Sequence, residues 1–579
     1  MKNKYCLLFS FFFFVPFCAI HSQIPSRKIY TTTPTYPEII SIYEAFAKQS
    51  SSCKLFSFGT TDVGKPLHLL VISKSKEFDP ETLRKQNKRI LLINNGIHPG
   101  EPDGIDASIE LVNTLLKDET KIPNDVVICI IPVYNIDGCL NRGKYSRANQ
   151  NGPEEYGFRG NAQNLDLNRD FIKADSKNAW TFMQIFQTWK PDVFMDNHVS
   201  DGADYQYVMT LIATQRDKLN PILSKYMTAE MVPQLFDKMK ARNYEMSPYV
   251  DPKDETPDSG IVEFLETPRF SSGYAALFNC IGFVPETHMW KPYNDRVWST
   301  YELELSMLEV IQKDSKRIGE LRLEADAKAK TQKQFPLNWE VDTTQFDSIN
   351  FKGYQAIHKP SNISGLPRLF YDRTKPFIKK IRFYNHYKPS VTAIAPAAYI
   401  IPQAWSRVIG RLEVNGVEMT QLQRDTSIAC EVQYILSYET SKNPYESHYE
   451  HYNIKTRTEK QTLNFYKGDY VVSVNQACNR YIVETLEPEG EDSFFAWNFF
   501  DGILQQKEGF SAYIFEEKAE EILKENPKLK EELVEKRKSD KAFAENQRAQ
   551  LDFIYKHSAY YEKSHNRYPV VRIDIVGVK

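Results

Sequence analysis

Residues 89–116 read RILLINNGIHPGEPDGIDASIELVNTLL, and this stretch decides the architecture. RILLINNGIH (89–98) is a near-continuous apolar run ending in polar residues, the pattern of a strand covered on both faces. Pro99-Gly100 and Asp103-Gly104 punctuate a loop, and PDGIDASIELVNTLL (102–116) carries the apolar spacing of a helix. The alternation recurs along the chain. VVICIIPVYN (126–135), PDVFMDNH (191–198) and IGFVPETHM (281–289) read as strands; NAWTFMQIFQTWK (178–190) and the long amphipathic stretch 298–330 read as helices. Strands alternating with helices imply βαβ units. The expectation is an α/β fold with a mixed, mostly parallel central sheet and helices on both faces.

The texture changes near 330–345, where a charged, alanine-rich helix end meets QKQFPLNWEV. Beyond it, KKIRFYNHY, SVTAIAPAAYIIP, SRVIGRLEVNGVEMTQL and DYVVSVNQA have strand composition, with Asn415-Gly416 as a turn signal. A β-rich accessory domain is expected at about 346–485. A mixed tail follows at 486–579, with a charged helical stretch at 516–547 and a strand-like YPVVRIDIV at its end. The catalytic part is expected at 23–345.

The chain has 579 residues, 41% hydrophobic and 26% charged, which at ~100–200 residues per domain suggests two to four domains. Lys and Arg number 73 against 75 Asp and Glu, a formal charge of −2, so no basic surface calls for nucleic acid. Lys2 and Lys4 precede an apolar run from Cys6 to Ile20, the pattern of a secretory signal peptide over residues 1–22 rather than a membrane span. Removing it takes the charge to −4 and predicts an exported protein, periplasmic or secreted, with no membrane attachment. Six cysteines then remain, with no CxxC pair, which excludes a disulfide scaffold and argues against a thiolate zinc site.

Histidine is scarce, and two of the eleven stand at strand ends: His98 in NNGIHPGE and His198 in DVFMDNHVSDG. Strand-end loops are where α/β sheets place their sites. With Glu101, three residues after His98, they form a two-imidazole, one-carboxylate set of the kind that holds zinc with a position left for water. Asp196 and Asn197, beside His198, are candidates for orienting the ligands.

Read together with FRGNAQNLDLNRDF (158–171), the sequence resembles the zinc carboxypeptidase family, as a bacterial exported member. The resemblance rests on His98-x-x-Glu101, Arg159, Asn168-Arg169, His198 and a downstream strand-end glutamate, in that order, across about 35–320. It implies one zinc ion on His98, Glu101 and His198, and a peptide or protein C-terminus as substrate. Asn168 and Arg169 would hold the terminal carboxylate, for which a guanidinium offers two parallel charge-assisted bonds. Arg159 would stabilise the developing oxyanion, with Arg142 and Arg147 as nearby competitors. Glu286, in GFVPETHMW, would be the general base, with Glu266 in FLETPRF as rival. Tyr274 is the candidate substrate-capping tyrosine, against a packing role, and His288 is assigned a structural one.

The reaction so implied is hydrolysis of the last peptide bond through a zinc-activated water. Two alternatives stay open: a zinc amidohydrolase acting on N-acyl amino acids or murein peptides, and a binding protein whose catalytic site has decayed.

Overall fold

The computed structural model describes residues 27–574; the expected signal peptide lies outside the described residues. The expected α/β architecture is present. RILLIN and VVICII are buried at every position, as strands covered on both faces must be. Arg89–Asn94 pairs in parallel with Val126–Ile131 on one side and with Val193–Asp196 on the other. Val193–Asp196 pairs in parallel with Ile281–His288, and antiparallel strands complete the sheet at both edges.

The chain leaves Arg89–Asn94, builds its neighbour on one side, then crosses to the other. This makes a switch point, and the loops that leave the carboxyl ends of these strands splay apart there to form a crevice. Helices Tyr36–Gln49, Asp103–Lys117 and Tyr293–Thr331 pack together as one layer, while Lys177–Trp189 and Ser271–Leu277 pack on the sheet separately. The fully buried Arg296 ties the crevice to the long helix. Its Nε donates to Asp103 Oδ2 at 3.0 Å and its Nη1 to the Met289 carbonyl at 2.7 Å.

Beyond residue 331 the chain is rich in strands. Gln334–Val341 pairs with Tyr387–Ile394, and Asp347–Pro360 with Pro367–Tyr384 form a long ribbon. A six-stranded sheet is built on the hairpin Thr426–Thr440 and His451–Phe465; Val571–Ile573, near the end of the described chain, joins it. One expectation needs correcting: SRVIGRLEV is not a strand but the helix Ser406–Val414. Val408, Ile409 and Leu412 recur at helical spacing and are buried, and the helix packs against Lys177–Trp189. Asn415-Gly416, expected as a turn between strands, is the helix stop, with Gly416 at φ 71° in the left-handed region. The charged stretch 516–547 breaks into Ala512–Glu525, Pro527–Ser539 and Lys541–Ala544, starting anew at Pro527 and after Asp540.

Val408, Leu412, Tyr481 and Phe494 belong to the same buried apolar cluster as the central strands. All six cysteines of the described residues are free thiols, and no helix among those residues is long and apolar enough to cross a membrane.

Candidate metal centre and substrate cavity

His98 and Glu101 sit on the tight loop between the central strand and the helix Asp103–Lys117, closed by Glu101 N donating to the His98 carbonyl at 2.8 Å. Gly104, in the first turn of that helix, lies against Asn197. A β-carbon there would come within 2.4 Å of the Asn197 β-carbon, so only glycine lets the helix approach the strand end that bears His198. Buried Asn197 is locked by donating to Asn95 Oδ1 at 2.8 Å and Glu304 Oε1 at 3.2 Å, and does not touch the imidazoles.

The ligand atoms of His98, Glu101 and His198 all lie within 4.8 Å of one another, and all three residues are buried. Each imidazole is oriented from behind. His98 Nε2 meets Asp166 Oδ1 at 2.9 Å, and His198 Nε2 meets Asp196 Oδ2 at 3.2 Å. With Nε2 turned to a carboxylate, Nδ1 is the inward atom on both rings, the arrangement that raises ligand basicity in histidine metal sites. Arg159 Nη1 lies 3.2 Å from His98 Nδ1, the contact of a donor with an acceptor lone pair. Two nitrogens and a carboxylate, buried and converging, are a donor set that fits zinc.

Burial opposes charge on Glu101, but Arg147 and His98 hold its carboxyl well below the usual range. Arg147 Nη1 donates to Glu101 Oε1 at 2.7 Å, and the Val199 N–H to Oε2 at 2.8 Å. Burial likewise opposes charge on His198, yet Asp196 and Glu101 raise its pKa well above the ordinary histidine value. Asp166 is lowered despite burial by His98, Arg159 and Arg169. Sequence reasoning passed over Asp166, although it is the aspartate of the DLNR run.

The centre opens into a cavity of roughly 450 Å³ whose walls include Arg147, Arg159, Asn168, Arg169, Glu266 and Glu286. Of the three arginines weighed for the oxyanion, Arg142 points elsewhere, donating to the Thr33 and Pro34 carbonyls. Arg147 and Arg159 both enter. The Arg147 side chain is 15% exposed and bound to Glu101, whereas that of Arg159 is 45% exposed, which leaves Arg159 the more available to a ligand. Asn168 Oδ1 accepts the Ser271 N–H at 3.2 Å, which turns its amide nitrogen towards the cavity.

Glu286 lies opposite His198 in parallel register. Burial raises its carboxyl to about 8; His198 pulls against this, while Glu101 and Glu266 add to it. Glu266 also faces the cavity, with Oε2 accepting the Ser272 N–H at 3.0 Å, and burial raises its carboxyl too. His288 stands apart, Nε2 on the Ala203 carbonyl at 2.9 Å, and burial lowers its pKa to about 4.

Tyr274 is a correction. Its side chain has no exposure, packs among Phe171, Phe182, Phe186 and Phe278, and donates to Asn415 Oδ1 at 2.6 Å. It is a packing tyrosine and reaches no substrate. Tyrosines near the site include Tyr249, on the cavity wall, and Tyr445, on Arg169.

The sequence model of the family described as zinc carboxypeptidase matches residues 39–232, a span that holds the whole His98, Glu101, His198 set. Residues 39–232 are a zinc carboxypeptidase domain. It is a zinc metallopeptidase of carboxypeptidase type, on the strength of that match and the converging donor set. This zinc carboxypeptidase is similar to Carboxypeptidase 2 of Trichophyton rubrum, at 21% identity over 73% of this chain and 75% of the relative. It is also similar to Carboxypeptidase 2 of Trichophyton tonsurans, at 22% identity over 74% and 76%. Among solved structures, a metallo-carboxypeptidase from Pseudomonas aeruginosa aligns at 15% identity with a TM-score of 0.38, over 49% of this chain and 70% of that one.

Proposed function

We propose that this protein is an exported carboxypeptidase that removes the C-terminal residue of peptides. One observation carries the reading: the converging His98, Glu101 and His198, the neighbouring Asn168 and Arg169, and the half-buried Glu286 face a single cavity. Zinc held by His98, Glu101 and His198 would supply Lewis acidity, which polarises a carbonyl and acidifies water. The side chains do the rest. Arg169 and the amide nitrogen of Asn168 receive the terminal carboxylate and so set which peptide bond lies at the centre. Arg159 stabilises the negative charge that develops on the scissile carbonyl oxygen. Glu286 accepts a proton from water and returns it to the departing amine. Asp166 and Asp196 keep the imidazoles aimed throughout.

The test is hydrolysis of a blocked dipeptide with a free C-terminal carboxylate, of its amide, and of an N-acyl amino acid. The free acid is cleaved and the amide is not. Equal turnover of acid and amide refutes the exopeptidase reading, and preference for the N-acyl amino acid moves the reaction to amidohydrolysis. Export rests on the basic and apolar segment of residues 1–22. N-terminal sequencing of the mature protein finds that segment removed, and its retention overturns export by this route.

A further inference from the structure

The cavity is finished by a part of the chain almost three hundred residues away. The hairpin Thr426–Thr440 and His451–Phe465 carries a connecting loop, 441–450, that folds back onto the cavity rim. Tyr445 Oη accepts from Arg169 Nε at 3.0 Å. Arg169 Nη1 donates to the Asn168 carbonyl at 2.9 Å, and the guanidinium carbon stands 4.2 Å from the Phe270 ring centroid. One edge, one corner and one face of the cation are therefore fixed, and Nη2 is left for a ligand. The next residue repeats the contact one layer deeper: Glu446 Oε2 accepts the Asp166 N–H at 2.8 Å, and Asp166 in turn holds His98 and Arg159.

The loop is held rigidly for this task. Glu446 and Ser447 have φ of 50° and 69°, a left-handed conformation that non-glycine residues keep only where their surroundings impose it. Those surroundings are visible. His448 Nε2 meets Asp175 Oδ2 at 2.7 Å, and Asp175 also pairs with Lys173 at 3.1 Å and Arg411 at 3.2 Å. Glu450 pairs with Arg269, and the Tyr445 ring stacks on Trp497 at 6.2 Å between centroids.

We propose that Tyr445 is a positioning residue for substrate recognition: its hydroxyl fixes the rotation of the Arg169 guanidinium so that the outer nitrogen faces the substrate carboxylate. The proposal rests on the assignment of Arg169 as the carboxylate's partner. A planar fork recognises a carboxylate only in a narrow range of orientations, so a freely turning guanidinium binds more weakly with the same charge. The C-terminal region is by this account part of the active site rather than an appendage.

Tyr445→Phe tests it, because the change removes one oxygen and keeps the stack on Trp497. For the dipeptide with a free carboxylate, KM rises about fivefold, the scale of one hydrogen bond, while kcat changes less than about twofold. Zinc content and melting temperature stay at wild-type values. Tyr449→Phe, an exposed neighbour on the same loop, leaves KM unchanged. A KM for Tyr445→Phe within about twofold of wild type overturns the proposal. So does a KM rise accompanied by zinc loss, which would make the loop a brace for the metal centre. Wild-type protein that cleaves acid and amide alike refutes the carboxypeptidase reading instead, so the two failures are distinct.

Discussion

Replacing Glu304 by glutamine removes a pH dependence that one buried carboxyl writes into this fold. Glu304 lies on the helix Tyr293–Thr331 with no solvent exposure. Its Oε1 accepts from Ser108 Oγ at 2.7 Å and from Asn197 Nδ2 at 3.2 Å, and its Oε2 has no partner. Burial raises the carboxyl from 4.5 to about 8, and the two hydrogen bonds offset only part of that. The folded protein therefore keeps this proton at neutral pH, while the unfolded chain releases it near the ordinary glutamate value. Between those two values the folded state binds more protons. The associated stability is complete below about pH 4.5 and is lost as pH rises through about 8. At 1.36 kcal/mol per pH unit the gap corresponds to roughly 5 kcal/mol. An unfolding entropy of ~2.1 cal/mol/K per residue gives ~1.2 kcal/mol/K for 579 residues, so the effect is about 4 °C in melting temperature. Glutamine keeps the acceptor oxygen for Ser108 and Asn197 and cannot ionise. Calorimetry of chelator-treated wild type and Glu304→Gln at pH 5, 6.5 and 8.5 reads the difference between the two melting temperatures, in which other titrating groups such as Glu263 cancel. The variant gains about 4 °C on wild type between the lowest and highest pH. A difference that stays constant within about 1 °C across the range refutes the assignment of a protonated, buried Glu304.

Asp166→Asn removes the charge behind His98, and zinc affinity, measured by competition with a chromogenic chelator, falls ~10–100-fold. An unchanged affinity takes Asp166 out of the metal's support. Glu286→Gln lowers kcat by ~10²–10⁴ with zinc retained and KM little altered. If that variant keeps its activity, the proton passes through Glu266 and the loss appears in Glu266→Gln.

The parts legible in the sequence were those that local pattern controls. RILLIN and VVICII announce buried strands because every position is apolar, and the scarcity of histidine makes His98 and His198 stand out at strand ends. Periodicity was misread where composition and period disagree: SRVIGRLEV is rich in β-branched residues, yet Val408, Ile409 and Leu412 recur at helical spacing. Tyr274 was misplaced because a tyrosine near the site in sequence lies, in space, in the aromatic core beneath it. Asp166 carried a signal, its place in DLNR, but its role depends on which imidazole nitrogen faces it, and that is a matter of geometry. Tyr445 and Glu446 carried none. Their contacts with Arg169 and Asp166 span 276 and 280 residues of chain, a separation no local pattern encodes.

The strand Val571–Ile573 gives the protein a sense of order in time. It pairs with Ala398–Ile401 on one side and meets Thr426–Thr440, an arm of the hairpin behind Tyr445, on the other. A ribosome makes those three residues well after both of the strands they join, so a chain cut short before them holds two strand edges with nothing between them. The hairpin that carries Tyr445 to the cavity rim is thus left with an open edge until Val571–Ile573 has joined it.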